Sequence, residues 1–174
     1  LDPEVAHQLT IQALRFAGNF SLSNWFLNRL YQTPSKPVHV FGLTFKNPVG
    51  LAAGYDKDAI AVNGLSALGF GHVEVGTVTL KPQPGNPKPR VFRLVEDEAV
   101  INRMGFPGKG AEYASHQLSA VSNRSTVIVV NLGKNKDTPL EGAADDYIEL
   151  IRSLSPFADY LEIAENTTVE KFFR

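Results

Sequence analysis

Short apolar, strand-like runs in this chain end in small or polar residues, and helix-like segments separate most of them. That alternation constrains the fold more than any other feature. The segment Asn47-Pro-Val-Gly-Leu-Ala-Ala-Gly-Tyr-Asp-Lys57 passes from an apolar run into Ala52, Ala53 and Gly54, then delivers Asp56 and Lys57. His72-Val-Glu-Val75 leads into Gly76-Thr77, Glu98-Ala-Val100 into Ile101-Asn-Arg-Met-Gly-Phe106, and Val127-Ile-Val-Val130 into Asn131-Leu-Gly-Lys-Asn-Lys136. Small residues at a strand's carboxyl end let a planar ligand approach the backbone, and an ammonium beside them can neutralise an anion. Polar groups are therefore expected at one end of successive strands.

From Val38 onward the pattern predicts a hairpin over Val38–Phe45, strand 49–53, helix 58–68, strand 72–77, helix 109–121, strand 126–132, helix 142–154 and strand 159–164. Strands alternating with helices of this length imply parallel pairing through crossovers. A long insertion with Pro82, Pro84, Pro87 and Pro89 follows the second of these strands, and Val91-Phe-Arg-Leu94 with Ala99-Val-Ile101 predicts a second hairpin inside it. An insertion of this length in a compact domain is usually functional. Ahead of Pro34-Ser-Lys-Pro37, Asp2-Pro3 reads as an N-cap with proline at the first helical position, and Val5, Leu9, Ala13 and Phe16 recur at helical spacing. A second short helix is predicted after Ser23, with Trp25, Phe26, Leu27, Leu30 and Tyr31 on more sides than one neighbour can cover. These helices either pack on the domain behind them or form a membrane-surface or lipid-tail site.

Composition sets the outer bounds. With 174 residues, 43% hydrophobic and 20% charged, the chain has apolar material for one sizeable core. A net charge of -1 gives no reason to expect a nucleic-acid partner. Cysteine is absent, which excludes disulfides, a thiolate metal site and a cysteine nucleophile, and no other metal site is expected. The start at Leu1 rather than Met is read as residues processed off or lying ahead of this stretch.

Five segments taken together, Gly50-Leu-Ala-Ala-Gly-Tyr-Asp-Lys57, Glu74-Val-Gly-Thr-Val-Thr79, Pro82-Gln-Pro-Gly-Asn-Pro-Lys-Pro-Arg90, Ile101-Asn-Arg-Met-Gly-Phe106 and Asn131-Leu-Gly-Lys-Asn-Lys-Asp-Thr-Pro139, make the chain resemble the quinone-dependent, membrane-associated class of dihydroorotate dehydrogenases. The resemblance runs in order from Asp2 to about Leu161. It implies an FMN-containing (β/α)8 barrel of the TIM-barrel family that oxidises dihydroorotate to orotate in pyrimidine synthesis and passes electrons to quinone. In those terms residues 1–36 form a helical membrane and quinone-tunnel subdomain, and 37–174 form part of the barrel. Ala53, Gly54, Tyr55, Asp56, Lys57, Thr77 and Asn131 become flavin-site candidates. Lys57, Asn102, Arg103, Met104, Gly105 and Phe106 become substrate-site candidates, Lys57 through charge and Asn102 through its paired amide donor and acceptor. His7, Tyr55 and Arg93 stand where the family places tunnel-lining groups. The class implies a protein peripheral to the membrane, at the cytoplasmic face of a bacterial inner membrane. Read without the resemblance, Lys57 is a solvated loop lysine and Asn102 or Asn131 a turn-former in preference to site residues.

Departures from the pattern accompany the matches. After Ala158-Asp-Tyr-Leu161 the family continues into a strand whose end supplies the catalytic serine, whereas this chain reads Glu162-Ile-Ala-Glu-Asn-Thr-Thr-Val-Glu-Lys-Phe-Phe-Arg174 with no serine in that place. The ending resembles a later family segment, which makes Asn166 and Thr167 further substrate-site candidates. Pro107-Gly108 replaces two asparagines usual in the family. A (β/α)8 barrel needs about 250 residues, so about half a barrel is expected here, either as part of a longer protein or as a deleted variant. The alternative to a dehydrogenase is a catalytically silent half-barrel acting as a binding or assembly module. An open doubly wound domain lacks support, since neither Gly-x-Gly-x-x-Gly nor a Walker-type loop is present.

Overall fold

The computed structural model describes residues 1–31, 34–122 and 126–164. In chain order the elements are α1 (Pro3–Asn19), α2 (Ser21–Leu30), β1 (Val38–Val40), β2 (Leu43–Phe45), β3 (Gly50–Leu51), α3 (Val62–Ala67), β4 (His72–Val78), β5 (Val91–Leu94), β6 (Ala99–Asn102), α4 (Ala111–Ser119), β7 (Val127–Leu132), α5 (Ala143–Leu154) and β8 (Tyr160–Ile163). The central sheet has four parallel strands in the order β3-β4-β7-β8, and the pairs β1-β2 and β5-β6 form separate antiparallel hairpins.

Alternation along the strands gives the sheet two unlike faces. Val73, Val75, Ile128, Val130 and Leu132 point toward the helices and form the main core with Leu65, Leu118, Leu150 and Leu154. Glu74 pairs with Val129, Val129 with Tyr160, and Asn131 with Glu162, so these side chains share the opposite face. At the amino end of that face Phe45 and Leu43 of β2 pack with Val127, Val129 and Tyr160. The imidazole of His72 meets the Phe45 ring edge-on at 5.7 Å, and it lies so close over Gly50 that a Cβ there would run into it. The hairpin thus plugs one end of the face and leaves the strands' carboxyl end to the polar groups.

Several boundaries differ from the sequence expectation for identifiable reasons. The second helix begins at Ser21, not after Ser23, because the Ser23 hydroxyl donates back to the carbonyls of Ala17 at 2.7 Å and Phe20 at 3.1 Å instead of capping a new helix. The predicted helix 58–68 is reduced to Val62–Ala67, since the buried Asp56 carboxylate takes the amides of Ile60 and Ala61 and Ala59 has a positive φ of 58°. The predicted strand 49–53 shrinks to Gly50–Leu51, where chain direction changes into the Ala53–Asp56 loop. Asp2 does cap α1, accepting from the amides of Glu4 and Val5, with Pro3 in the first turn.

The first helix is not a loose appendage. Ile11 belongs to the main core, and Gly18 and Gly64 bring α1 and α3 so close that a Cβ on either would strike backbone. The stripe Val5, Leu9 and Phe16 faces outward, together with Phe20, Leu22, Trp25, Phe26 and Leu30. At its amino end α1 is fastened by Glu4, whose carboxylate receives Arg90 through Nε at 2.8 Å and Nη2 at 3.2 Å and Lys88 at 3.0 Å. The Arg90 guanidinium, foremost, holds the Glu4 carboxyl down from 4.5 to about 2. A depressed folded-state value means stability present above the unfolded value and lost as pH falls. Acid titration of thermal or denaturant stability should therefore show a loss between pH 4.5 and about 2 that Glu4→Gln removes. The contribution should be about 1.5–3 kcal/mol, as for hydrogen bonds to charged groups, and equal acid sensitivity in both proteins would contradict it.

Candidate active site

The carboxyl ends of β3, β4 and β7 are joined by one buried acid. Glu74 Oε2 accepts the amide of Ala53 at 3.2 Å, and its Oε1 accepts Nδ2 of Asn131 at 3.0 Å. Oδ1 of Asn131 in turn accepts the Thr77 hydroxyl at 2.6 Å. The Ala53–Asp56 loop is held against the same strand end by Gly54 N to Gly76 O at 2.7 Å and Gly76 N to Asp56 O at 3.0 Å. Gly76 tolerates this because its φ of 114° and the closeness of the Asn131 backbone leave no place for a side chain. Beside this cluster, burial and then the neighbouring Glu74 carboxylate push the Glu162 carboxyl up.

Over the loop, Ala52 and Gly54 are exposed, and a Cβ built on Gly54 would meet no atom within 4 Å. The result is a backbone floor of small residues, bordered by the polar ends of Thr77 and Asn131. Lys57 folds back so that its ammonium donates to the Gly54 carbonyl. Burial lowers its pKa, against the opposing pull of Asp58, Glu4 and Asp56. An anion placed beside Lys57 would restore the charge that burial disfavours.

Lys57 also faces a cleft of about 480 Å³ between α1 and the loops at 55–58 and 104–109, lined by Glu4, His7, Tyr55, Arg90, Met104 and Pro107 among others. His7 Nε2 lies 2.6 Å from the Tyr55 carbonyl, and the two rings meet edge-on at 5.1 Å. The Tyr55 hydroxyl donates to Thr10 at 3.1 Å, so α1 and the Ala53–Asp56 loop form one wall. Arg93 is not among the cleft's lining residues; its guanidinium donates to the Leu1 carbonyl at 2.7 Å.

The Pro-rich insertion is tied down through amides. Gln83 donates to the carbonyls of Gly105 and Phe106 and accepts from Asn135 and Lys136. Asn86 fixes Arg103 and Met104 through its side chain and backbone. Phe106 lies beside Gly133 at the end of β7, so this insertion overhangs the strand ends. Asn102 is exposed at the end of β6, and its Oδ1 receives the Met104 amide at 3.4 Å. Arg103 donates to the Pro89 carbonyl and stacks 6.0 Å over Phe92.

The sequence candidates thus divide by place. Ala53, Gly54, Thr77 and Asn131 converge on one surface; Tyr55, Asp56, Lys57, Met104 and His7 meet at the cleft; Asn102 and Arg103 lie on the hairpin of the insertion. Asn166 and Thr167 lie outside the described residues. Sequence reasoning missed Glu74, Gln83, Arg90 and Asn135 as organising residues. A signal existed for Glu74, a lone acid inside an otherwise apolar run, which must be paired if buried.

The Asp56 brace generates a test. Its carboxylate is buried and takes the amides of Ile60 at 2.9 Å and Ala61 at 2.8 Å. Asp56→Ala should cost about 1–3 kcal/mol by leaving those amides unsatisfied. Denaturant unfolding measures it, and an unchanged midpoint would show that water serves these donors equally well.

With this geometry in place, comparison with known proteins identifies the lineage. A family model described as dihydroorotate dehydrogenase matches residues 36–166. The chain is 53% identical over 163 residues to a dihydroorotate dehydrogenase (quinone) of Acidithiobacillus ferrooxidans, covering 92% of this chain and 45% of that relative. It is 50% identical over 165 residues to one from Roseiflexus sp., with 94% and 46% covered. Among solved structures, DHODH from Eimeria tenella in complex with ferulenol superposes with a TM-score of 0.76 at 42% identity, over 93% of this chain and 43% of that one. The ligand-free form of that enzyme gives 0.74 at the same identity. The chain therefore spans about half the length of the curated relatives it matches. Its parallel strands and covering helices are a portion of a TIM-barrel fold, and the chain belongs to the dihydroorotate dehydrogenase family.

Proposed function

We propose that this chain provides the flavin-facing strand ends and part of the substrate site of a quinone-dependent dihydroorotate dehydrogenase, which oxidises dihydroorotate to orotate in pyrimidine synthesis. The observation that carries the reading is the convergence of Ala53, Gly54 and the buried side chains of Thr77 and Asn131 at one strand-end rim that is open over Gly54, together with Lys57 beside it. The surface suits FMN: open space over Gly54 admits a planar ring, and the adjoining hydroxyl and amide match a polar ring edge. When bound, FMN would supply the acceptor for the hydride equivalent that leaves the substrate.

The chain's own residues bind and orient. Lys57 is the cation for the substrate carboxylate, and its desolvated setting strengthens that pairing, because an ion pair gains as water is withdrawn. Met104 and Phe106, held by Gln83 and Asn86, would border the substrate and exclude water. Asn102 offers a paired donor and acceptor once its weak local bond to the Met104 amide is given up. His7 and Tyr55 line the cleft between α1 and the barrel, which would admit quinone beside the flavin. The exposed apolar side chains of α1 and α2 suit contact with a lipid surface, and among the described residues no helix is long and apolar enough to cross a membrane.

Lys57→Ala in the complete protein should lower dihydroorotate turnover by roughly ten- to more than a hundredfold, the loss of one charge-assisted hydrogen bond of about 1.5–3 kcal/mol, while flavin content stays the same. Steady-state kinetics beside the flavin absorption spectrum separates the two, and unchanged kinetics would remove Lys57 from the substrate site. A protein that never carries flavin would instead favour the silent-module reading. Trp25 and Phe26 are 62% and 58% exposed and take no part in the core. Replacing both with Asp should abolish co-sedimentation with anionic vesicles but leave flavin bleaching by dihydroorotate intact. Vesicle binding that survives would refute the membrane role of α2.

A further inference from the structure

We propose that Glu74 is a positioning residue that sets the hydrogen-bond polarity of the flavin surface, turning Thr77 into an acceptor and Asn131 into a donor. This rests on the reading that FMN binds at the strand ends, and it adds which edge of the ring the surface selects.

What each group can donate or accept decides the polarity. Both oxygens of Glu74 face N–H groups, Ala53 N on Oε2 and Asn131 Nδ2 on Oε1, so Glu74 acts here only as an acceptor. Burial, then the hydrogen bond and the charge of the neighbouring Glu74, push the Glu162 carboxyl up. Asn131 must therefore turn its NH2 toward Glu74, which turns its Oδ1 toward Thr77. A carbonyl oxygen can only accept, so the Thr77 hydroxyl spends its one proton on Asn131 at 2.6 Å. What remains for a ligand is fixed: lone pairs on Thr77 Oγ1 and the second N–H of Asn131. An acceptor beside a donor is the complement of an imide, whose N–H adjoins a carbonyl, and FMN carries one at N3. Neither Thr77 nor Asn131 could declare this polarity alone, because a hydroxyl rotates and an amide can flip.

Glu74→Gln makes the opposite chain possible. The Gln oxygen accepts from Ala53, its NH2 donates to Asn131 Oδ1, the Asn131 NH2 donates to Thr77, and the Thr77 proton turns outward. The surface then presents a donor to the N3–H of the flavin.

The test compares FMN with N3-methyl FMN, which lacks that proton, by fluorescence titration of the ligand-depleted protein. Glu74→Gln should weaken FMN by roughly tenfold, the scale of one lost hydrogen bond, and leave N3-methyl FMN within about twofold of its wild-type affinity, so that any steric cost of the methyl group cancels. A Glu74 that serves only the fold would weaken both ligands by the same factor, and that result, or no weakening of either, overturns the proposal. A wild-type protein that binds no FMN overturns the underlying reading and the proposal together. If Glu74→Gln does not fold, Thr77→Val must weaken FMN and spare the methylated ligand, with equal loss again contradicting the assignment. A ligand-free readout distinguishes polarity from binding: in 15N spectra the Asn131 side-chain NH2 should shift in Glu74→Gln, and an unchanged resonance means that the amide never turned.

Discussion

Glu74 stands in the middle of a strand whose other inward and outward neighbours are largely apolar, and its carboxylate is satisfied by groups from two other strand ends. A buried charge left without partners costs several kcal/mol, so the loop after β3 and the end of β7 are held in register by the need to serve it. The anchoring of the floor at Ala53, the orientation of Asn131 and that of the Thr77 hydroxyl follow from this interaction, while Gly76 holds Gly54 and Asp56 beside it. Opposite it, the aromatic plug of Phe45 against His72 and Val129 keeps the other end of the face dry. One sheet face is thereby apolar at its amino end and polar at its carboxyl end, the polarity expected of barrel strands that place chemistry at one rim.

The amino-terminal helices are coupled to that rim and are more than attached to it. Glu4 with Arg90, His7 with the Tyr55 carbonyl and Tyr55 with Thr10 join α1 to the loop that carries Lys57 and to the Pro-rich insertion. Packing of Ile11 and the Gly18–Gly64 approach fix the helix laterally. One side of α1 is committed to the barrel while the stripe at Val5, Leu9 and Phe16 stays outside. Of the two readings raised by the sequence, packing on the domain behind holds for one side of α1, and the apolar stripe on its other side is left exposed.

How much was legible in the sequence depended on whether the deciding interaction was local. The hairpins at Val38–Phe45 and Val91–Asn102, the Asp2 cap and the parallel order of the strands follow from periodicity and turn chemistry within a few residues. The start of α3 departs from its local pattern because a side chain four and five residues back, Asp56, captures the amides of Ile60 and Ala61 and defers the helix. The second helix starts at Ser21, ahead of the expected start after Ser23, whose hydroxyl bonds backward to Ala17. The site followed the same rule. Small residues and a lysine after an apolar run announced the floor and Lys57, whereas the roles of Glu74, Gln83 and Asn135 depend on partners more than twenty residues away, which no local pattern encodes.

A crystal structure of the protein grown with FMN tests the central claim most directly. The account predicts the ring system lying over Ala53 and Gly54, with its imide edge at Thr77 Oγ1 and Asn131 Nδ2 and with the Glu74 contacts to Ala53 and Asn131 kept. Ordered FMN in the cleft lined by His7, Lys57 and Arg90, with the strand ends bare, would contradict it.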